Sequence, residues 1–541
     1  MGVAVVGAGV GGSYAAYRLA ASAGLGHLPV ALFERSHRIG GRVWSTRVGP
    51  APGAWADLGA MHLHWQLRSV MALVHHLGLG EAVVPFDFGR GENLTHLRAT
   101  ALHQRELVGS AHEVPYRLRA AEQGRSPDAL AALAVERTLA GFSRLRRLYH
   151  HAAEQGRWRE AGEHARAYRL LRDSTAVDGR PVRTLDCAAV LMAGLSREAI
   201  RFLDDAGGYD ASRTGGNAAD WLDVLFHTPV DADYVTLSGG MQRLPSALHA
   251  RFSAAGGHTH LGHRLTRVDQ VVHEGGHRPT YELTFTIEDR LGRPTGTRVR
   301  VGARKVLLAM PQGALCRLDR TTWLFTPQLL ADLDSVEAVA ALKLFLAYPE
   351  AWWLRMGLSS GRSTTDLPLR QLWYGGAERD GSVGRGGGPA LLLAAYPTGP
   401  SAAYWDRFLE GPRFPEPHPA ARAEDTPRPS AAMVEHAQGL LCTMHGMHEI
   451  PAPVSACWQH WNLPPHDGAW HVWKPGRDSR SITRRMRAPA LGHAVHIVSD
   501  CWTSDPGSIP GTLGCAERVL QDHLGLAPPP WLRPQGSELP C

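Results

Sequence analysis

Cysteine is scarce in this sequence, and its spacing excludes two common uses of the residue. The 541 residues include seven cysteines, spread widely, and no two of them stand in a CxxC pair. Neither a zinc ribbon nor a disulfide framework is therefore indicated. Reduced thiols are the simpler interpretation, and they predict a cytoplasmic protein.

Long hydrophobic runs are also missing. No apolar stretch approaches the roughly 20 residues that are needed to cross a bilayer. Met1-Gly2 leads directly into the apolar stretch Val3–Val6, without a charged region or a small-residue cleavage site. We therefore expect no membrane partner and no secretory signal.

Charge of one sign is not concentrated anywhere in the chain. Lys and Arg number 57 against 51 Asp and Glu, a net charge of +6, and the positive charges are scattered. This balance is weak evidence for nucleic acid, which we do not expect as a partner. With 44% hydrophobic residues, the chain can bury sizeable cores, and its length allows two to four domains at roughly 150 residues each.

The N-terminus carries the sharpest local signal. Val3–Val6 predicts a buried strand, and a helical pattern starts at Ser13. Between them Gly7 permits a tight turn, Gly9 lets backbone N–H groups approach a pyrophosphate at the helix N-terminus, and Gly12 lets helix and strand pack closely. This order indicates a dinucleotide-binding turn.

A second predicted strand, Val30–Phe33, ends at an acidic residue. Glu34 stands 22 residues after Gly12, the distance at which a carboxylate accepts hydrogen bonds from a ribose. An acidic residue there disfavours a 2′-phosphate. Together with the glycine turn, Glu34 predicts a dinucleotide cofactor.

The residues after Glu34 carry a family resemblance. Arg35 and the stretch Gly40-Gly41-Arg42 form an E…R-x-GGR pattern that resembles the FAD-dependent amine oxidase superfamily. The resemblance implies FAD as the cofactor and places Arg35, Gly41 and Arg42 beside it. A fixed cation next to a diphosphate is consistent with this assignment.

Further segments resemble the family in its own order. The pair Ser363–Pro368 and Ala394–Tyr396 is most similar to the L-amino-acid oxidase branch, which also includes tryptophan and lysine monooxygenases. The segments are Asp57–Met61, Leu237–Met241, Arg267–Val268, Lys305–Pro311, Leu342–Leu344, Ser363–Pro368 and Ala394–Tyr396. By this resemblance Gly59, Ala60 and Met61 belong to the cofactor site, and Val268 lies at the adenine.

The resemblance implies an α/β fold with a Rossmann-like FAD-binding domain, interleaved with a mixed-sheet substrate domain and a helical subdomain. Period-two alternation in Tyr281–Ile287 predicts strands in the middle of the chain, and helical periodicity dominates from about 113 to 230. The expected parts are an FAD domain from residues 1–60, 236–315 and 487–530, a substrate domain from 61–112 and 316–486, and a helical subdomain from 113–235.

Two residues stand out as candidates for the chemistry. Lys343 places an amine inside an apolar strand, where an unpaired ammonium would be costly. The family lysine at this position holds a water against the flavin, although a lysine whose amine snorkels to solvent is the alternative. Tyr396 matches the tyrosine that holds a substrate carboxylate in the branch, and a core tyrosine is its alternative.

The usual partner of that tyrosine is an arginine, but His62 follows Met61 here. A guanidinium grips a carboxylate with two hydrogen bonds, whereas imidazole offers one and is mostly neutral near pH 7. Three interpretations stay open: His62 is protonated, another cation such as Arg68 substitutes, or the substrate lacks a free carboxylate. His64 also resembles the histidine of polyamine oxidases, which supports the third. His62 and His64 form an HxH pair, yet no further ligands are evident, so we expect no metal.

Later positions complete the expected site. Trp470 is expected to line the side-chain pocket. The segment Gly468–Trp470 resembles the one in which monoamine oxidases carry a flavin-linked cysteine, and because no cysteine stands there we expect noncovalent FAD. Asp500 is expected to accept from a ribityl hydroxyl. Ser508 and Ile509 occupy the place of a Gly-Trp motif, and Ser508 would open space for a larger or more polar substrate.

The resemblance implies FAD-dependent oxidation of the C–N bond of an L-amino acid or close derivative. The products are an imine or 2-oxo acid, ammonia and H2O2. Alternatives are an oxidase of carboxylate-free amines, a decarboxylating monooxygenase that yields an amide, and a flavin-binding module without catalysis. The expected partners are a small amine or amino-acid substrate and O2. A homodimer is a further expectation, although the sequence leaves the oligomeric state open.

Overall fold

The structure is a computed structural model. It describes residues 1–22, 29–49, 55–89, 91–109, 114–210, 215–229, 231–271, 280–375, 389–415 and 426–532. The strands in chain order are β1 Val3–Val6, β2 Val30–Phe33, β3 Ser45–Arg47, β4 Trp55–Asp57, β5 Leu63–His64, β6 Val83–Pro85, β7 Leu94–Leu97, β8 Thr100–His103, β9 Ala176–Val177, β10 Arg180–Pro181, β11 Tyr234–Leu237, β12 His258–His260, β13 His263–Val271, β14 Thr280–Glu288, β15 Pro294–Ala303, β16 Lys305–Leu308, β17 Val336–Val339, β18 Leu342–Tyr348, β19 Gly361–Thr365, β20 Gln371–Tyr374, β21 Ala390–Ala395, β22 Ser455–His460, β23 Trp470–Trp473 and β24 Val495–Ile497.

The α-helices in chain order are α1 Val10–Ala20, α2 Arg68–His76, α3 Pro127–Thr138, α4 Phe142–Glu154, α5 Trp158–Ser174, α6 Cys187–Gly194, α7 Arg197–Gly207, α8 Ala218–His227, α9 Arg243–Ala254, α10 Gln312–Cys316, α11 Pro327–Leu333, α12 Pro400–Ala403, α13 Ala431–His445, α14 Ser479–Arg487 and α15 Ile509–Asp522. No described helix has both the length and the apolar character that a bilayer crossing requires. Within the described ranges, no two cysteines form a disulfide.

A parallel sheet at the centre of the molecule is assembled from distant parts of the chain. Its order is β12-β2-β1-β16-β24, and β1 pairs in register with β2 on one side and β16 on the other. Both faces are covered, which explains why β1 and β2 are apolar at every position. Helices α1, α9 and α15 contribute to the core on one face, and the antiparallel strands β13 and β14 contribute to the core on the other.

A mixed seven-stranded sheet forms the second layer. Its order is β22-β18-β21-β20-β19-β7-β8, in which β19 and β7 pair in parallel. Every residue of β18 is buried, because hydrophobic clusters cover this part of the sheet on both sides. The strand that carries Lys343 is therefore held rigidly in the middle of the sheet.

Helices α3 to α8 make up the helical part, with two small cores of their own. The predicted α/β architecture is confirmed. The parallel sheet draws its strands from residues 1–60, 236–315 and 487–530, and the seven-stranded sheet from 61–112 and 316–486.

A buried ion pair joins the first helix to the last. Arg18 in α1 donates from Nε to Glu517 Oε1 in α15 at 2.7 Å, and its Nη2 reaches the carbonyl of Ala527. The Tyr14 hydroxyl donates to the same Glu517 oxygen at 2.5 Å. The Glu517 side chain is 2% exposed, so its charge is balanced by these donors rather than by water.

We predict that Glu517→Gln destabilises the fold strongly, because it leaves the Arg18 guanidinium buried without a counter-charge. The expected loss is about 3–5 kcal/mol in the free energy of unfolding, measured by urea denaturation. Glu160→Gln is the control, since Glu160 pairs with Arg157 at the surface and such pairs contribute about 0–1 kcal/mol. Equal effects of the two substitutions would show that the buried pair does not hold α1 to α15.

Candidate functional site

A cavity of about 820 Å³ lies where the carboxyl ends of β1 and β2 face the seven-stranded sheet. This is the place where open parallel sheets bind ligands, and the volume falls in the upper range for ligand pockets. Most of the residues predicted for the cofactor line it: Gly7, Gly9, Gly12, Glu34, Arg35, Gly41, Arg42, Gly59, Ala60, Asp500 and Ile509 are all in or beside its wall.

The three glycines of the turn serve two different purposes. A Cβ at Gly12 would stand 1.8 Å from the Gly7 carbonyl oxygen, and one at Gly7 would stand 2.1 Å from that of Ala309, so both glycines are required by packing. A Cβ at Gly9 would meet only the Gly41 Cα, at 4.0 Å. Gly9 is the N-cap of α1, and no side chain caps that helix. The turn thus presents a bare helix N-terminus to the cavity, which fits a diphosphate.

Glu34 is fixed at the cavity edge by the protein itself. Its Oε2 accepts from the Ala8 backbone N–H at 2.7 Å, and its Oε1 accepts from the backbone and hydroxyl of Ser36. A carboxylate has about four lone-pair sites, so one remains for a ribose hydroxyl.

The predicted cations are already paired with acids. Arg42 forms an ion pair with Asp500 and donates to the Ala469 carbonyl at 3.0 Å, so the two groups that we predicted to contact the cofactor separately hold one another in the cavity wall. Arg35 pairs with Glu288 at 2.7 Å. Both guanidiniums are therefore held in place at the cavity edge.

Val268 differs from the expectation that it lies at the adenine. The structure places it in the hydrophobic core, 1% exposed, where its side chain is in the same cluster as Leu283 and Phe285 of β14. Earlier in the strand it is His263, Arg264 and Leu265 that line the cavity. Met61 also lies off the cavity wall and contacts Lys343 instead.

The Lys343 amine is buried and lies among hydrogen-bond acceptors. Its Nζ donates to the carbonyls of Asp57 at 3.0 Å and Gly59 at 2.6 Å, and it lies 3.0 Å from the Met61 sulfur. Burial lowers the pKa of Lys343 to about 7. The snorkelling alternative is excluded, because the residue is 2% exposed and lines the cofactor cavity.

Asp57, whose backbone carbonyl accepts from Lys343, has a carboxyl group that is itself poorly solvated. Burial raises the pKa of Asp57 to about 6, although Ser45 and the Met241 N–H donate to its Oδ1. Its Oδ2 has no hydrogen-bond partner among the described residues, and neither do Thr236 Oγ1 and Trp373 Nε1. All three residues line a small cavity of about 40 Å³, a volume that accommodates ordered water.

His62 does not provide a positive charge. Its ring packs on Phe86, Phe88 and Tyr234 at centroid distances of 5.1 to 5.5 Å, and its Nδ1 has no hydrogen-bond partner in the described part of the chain. Burial, followed by the nearby charge of Lys343, lowers the pKa of His62 to about 3. This environment favours a neutral His62 over the first interpretation of the missing arginine, in which His62 is protonated beside the substrate.

Arg68 does not substitute either. It lies at the surface, where it donates to the Ala153 carbonyl and stacks on Trp158. His64 accepts or donates a hydrogen bond with Gln66 and does not line the cavity. Within the described ranges, no group of three or more His, Cys, Asp and Glu side chains is arranged to hold a metal ion.

Of the four predicted substrate residues, Tyr396, Trp470 and Ser508 line the cavity, whereas His62 is not part of its wall. Tyr396 lines it with its ring centroid 4.8 Å from Lys343 Nζ. Burial, and then Tyr209, raises the pKa of Tyr396 well above its usual value, so the hydroxyl keeps its proton. Trp470 lines the same cavity. The Ser508 hydroxyl caps α15 by accepting from the Gly511 N–H at 2.9 Å, so it has a structural task that we did not predict.

Sequence reasoning did not single out Tyr209 or Arg362 as candidate site residues. Tyr209 packs edge-on against Tyr396 at 5.8 Å, and Arg362 lies over Tyr209, Phe88 and Trp373. The signal for Arg362 was present: it is the single charged residue in the otherwise uncharged strand β19. Tyr209 comes from the helical part, where no motif marked it.

Comparison with known proteins agrees with this geometry. Residues 12–520 match the family described as flavin containing amine oxidoreductase. The chain therefore belongs to the flavin-containing amine oxidoreductases, and the predicted resemblance and its FAD cofactor are confirmed.

Within that family, similar relatives cover most of the chain. Aplysianin-A of Aplysia kurodai is 25% identical over 97% of this chain and 90% of its own length. Achacin of Lissachatina fulica is 27% identical over 92% and 87%. An L-amino-acid oxidase of Bothrops jararacussu is 25% identical over 75% and 70%.

Solved structures support the fold. A single mutant of putrescine oxidase, made to redesign cofactor binding, superposes with a TM-score of 0.63 at 16% identity, over 96% of this chain and 98% of its own. A double mutant of putrescine oxidase from the same redesign gives a TM-score of 0.61 at 15% identity, over 97% and 99%.

We predict that Gly9→Val and Gly12→Val fail in different ways. The Gly9 variant should fold with an unchanged melting temperature as apoprotein but purify without flavin, because its side chain fills only the cavity. The Gly12 variant should lose stability, because its Cβ meets backbone. Flavin absorbance per protein and thermal unfolding of the apoproteins measure both effects. Full flavin content in the Gly9 variant would contradict the assignment of the glycine turn as the diphosphate site.

Proposed function

We propose that this flavin-containing amine oxidoreductase oxidises free L-amino acids. The balanced reaction consumes the amino acid, O2 and water, and it yields the 2-oxo acid, ammonia and H2O2. Relatives named L-amino-acid oxidase support the substrate class, including one from Mus musculus that is 26% identical over 74% of this chain and 54% of its own length. The observation that carries the proposal is the pair Lys343 and Tyr396 on the wall of the cofactor cavity.

FAD, when bound, accepts a hydride from the carbon that bears the amine and passes the electrons to O2. The protein positions the substrate and controls charge around it. The Tyr396 hydroxyl, which keeps its proton, is able to donate a hydrogen bond to a substrate carboxylate.

Lys343 controls the proton at the reacting end of the cavity. As an ammonium its three N–H bonds match the three acceptors around it, the carbonyls of Asp57 and Gly59 and the Met61 sulfur. As a neutral amine it keeps the two carbonyl bonds and gains a lone pair. A lone pair accepts a proton from a water or from the substrate ammonium, which must be deprotonated before a hydride leaves.

A second candidate is an oxidase of amines without a carboxylate. It is favoured by the neutral, buried His62, which stands where the branch has an arginine. A decarboxylating monooxygenase and a flavin-binding module without catalysis are further outcomes of the same experiment.

The deciding measurement is anaerobic bleaching of the purified yellow protein. The panel contains L-leucine, L-phenylalanine, L-lysine and L-glutamate, each with its amide and its decarboxylated amine. We expect bleaching by the free L-amino acids and formation of 2-oxo acid and H2O2 in air. Bleaching by amines alone would establish the second candidate, an amide product would indicate the monooxygenase, and no bleaching at all would indicate a binding module.

We predict that Lys343→Met slows flavin reduction at least 100-fold, in the range typical for loss of an acid–base group. In the wild type the rate should rise as the pH increases through about 7, where the Lys343 amine loses its proton. The variant should lack that rise. Stopped-flow reduction between pH 6 and 9 measures it, with Lys474→Met as the control because Lys474 pairs with Asp334 at the surface. An unchanged pH profile in the Lys343 variant would contradict this role.

A further inference from the structure

Next to Tyr396, but outside the residues that line the cofactor cavity, a group of aromatic side chains surrounds a second cationic residue. We call this group the aromatic chamber and define it by His62, Phe88, Tyr209, Tyr234 and Trp373. Their rings contact one another at centroid distances of 4.5 to 6.4 Å. Tyr209 belongs to it through its position under the guanidinium of Arg362.

Arg362 is the cation of this chamber. Its guanidinium carbon lies 4.9 Å from the Phe88 ring and 5.9 Å from the rings of both Tyr209 and Trp373. Its Nη1 makes one long hydrogen bond, 3.3 Å, to Gln371 Oε1. Its Nε is buried and has no hydrogen-bond partner among the described residues. The aromatic faces attract the charge but accept none of its in-plane hydrogen bonds.

Arg362 has no counter-charge among the residues that the structure describes. No carboxylate of those ranges lies within 4 Å of its guanidinium, whereas Arg370, just before the neighbouring strand β20, pairs with Asp210. A guanidinium stays charged at any physiological pH. A partly buried cation without an anion is costly, and a ligand that brings a carboxylate would offset the cost with a bidentate pair.

The chamber reaches the cavity wall through a contact between two tyrosines. Tyr209 contacts Arg362 on one side and Tyr396 on the other, at 5.9 and 5.8 Å. Tyr396 in turn lies 4.8 Å from Lys343 Nζ. The tyrosine pair therefore links Arg362 to Lys343 through a series of contacts.

Because His62 is neutral, a positive charge in the chamber has to come from another residue. His62 shares Phe88 and Trp373 with Arg362, and its ring is neutral because its pKa is lowered to about 3. An arginine at position 62 would place a second guanidinium in the same chamber. The cation of the chamber is thus supplied by strand β19 instead of by the loop after Gly59.

We propose that Arg362 binds the carboxylate of the substrate and determines the preference for carboxylated over carboxylate-free amines. This inference rests on the proposed function and adds the residue that selects the substrate class. The carboxylate has two sources, the α-carboxylate or an acidic side chain, and both would meet the same guanidinium.

The test compares Arg362→Met and Arg362→Lys with the wild-type holoenzyme. On L-leucine, kcat/KM should fall at least 30-fold in the Met variant, mainly through KM, as expected when one partner of a buried charge pair is lost. On leucinamide it should change less than threefold, and lysine should restore part of the loss. Arg68→Met is the matched control and should leave both substrates unchanged, because Arg68 stacks on Trp158 outside the chamber.

The two carboxylate sources are separated by L-glutamate and L-glutamine. If Arg362 binds the α-carboxylate, the Met variant should lose activity equally on both. If it binds a side-chain carboxylate, the loss should be confined to glutamate, and L-leucine should be a poor wild-type substrate.

A binding measurement keeps the inference separate from the proposed function. Isovalerate carries the carboxylate of leucine but cannot be oxidised at a C–N bond, and it perturbs the flavin spectrum when it binds. Wild-type binding that the Met variant loses would support Arg362 even if no amino acid is oxidised. Without a selective loss on L-glutamate, equal losses on leucine and leucinamide, or isovalerate binding that is unchanged in the Met variant, would overturn the inference.

Discussion

The position of strand β1 between β2 and β16 is the constraint on which the whole site depends. Because β1 is buried on both sides, the turn that follows it leaves the sheet at a fixed point. The N-terminus of α1 therefore lies beside the cavity. The close contact of Gly12 with Gly7 sets how near the helix can approach. The bare N-terminus of α1, Glu34 at the end of β2 and the Arg42–Asp500 pair all take their places relative to that turn.

The partners of the charged side chains differ from one region of the site to another. The arginines near the nucleotide end are balanced by Glu288 and Asp500. Lys343 is surrounded by neutral acceptors, so burial lowers its pKa and favours the free amine. Around Arg362 the described residues place aromatic faces and one amide. Arginine thus has a structural role where an acidic residue pairs with it. It is available to a ligand where the described residues place no acidic side chain beside it.

Much of the fold could be predicted from the sequence, because it depends on local patterns. The strand, glycine turn and helix at the N-terminus and the alternating strand β14 follow directly from residue periodicity. In the candidate site, motifs mark Lys343 and Tyr396, and both residues line the cavity, while their roles stay predictions. Val268 was misplaced because a pattern gives a strand but not the residue of that strand that meets a cavity. Arg362 and Tyr209 were missed because their contact joins β19 to the helical part, and nothing in either segment alone reveals it.

The order in which the chain is made has a consequence for this sheet. β1 is synthesised long before β24 and α15, because hundreds of residues separate them in the chain. At 5–20 residues per second, roughly 25 to 100 s pass between the synthesis of β1 and that of β24. During translation its apolar faces lack their final covering, and the Arg18–Glu517 pair does not yet exist. The cavity is therefore complete only after the residues that follow β24 have been made, and until then the apolar faces of β1 are exposed to aggregation.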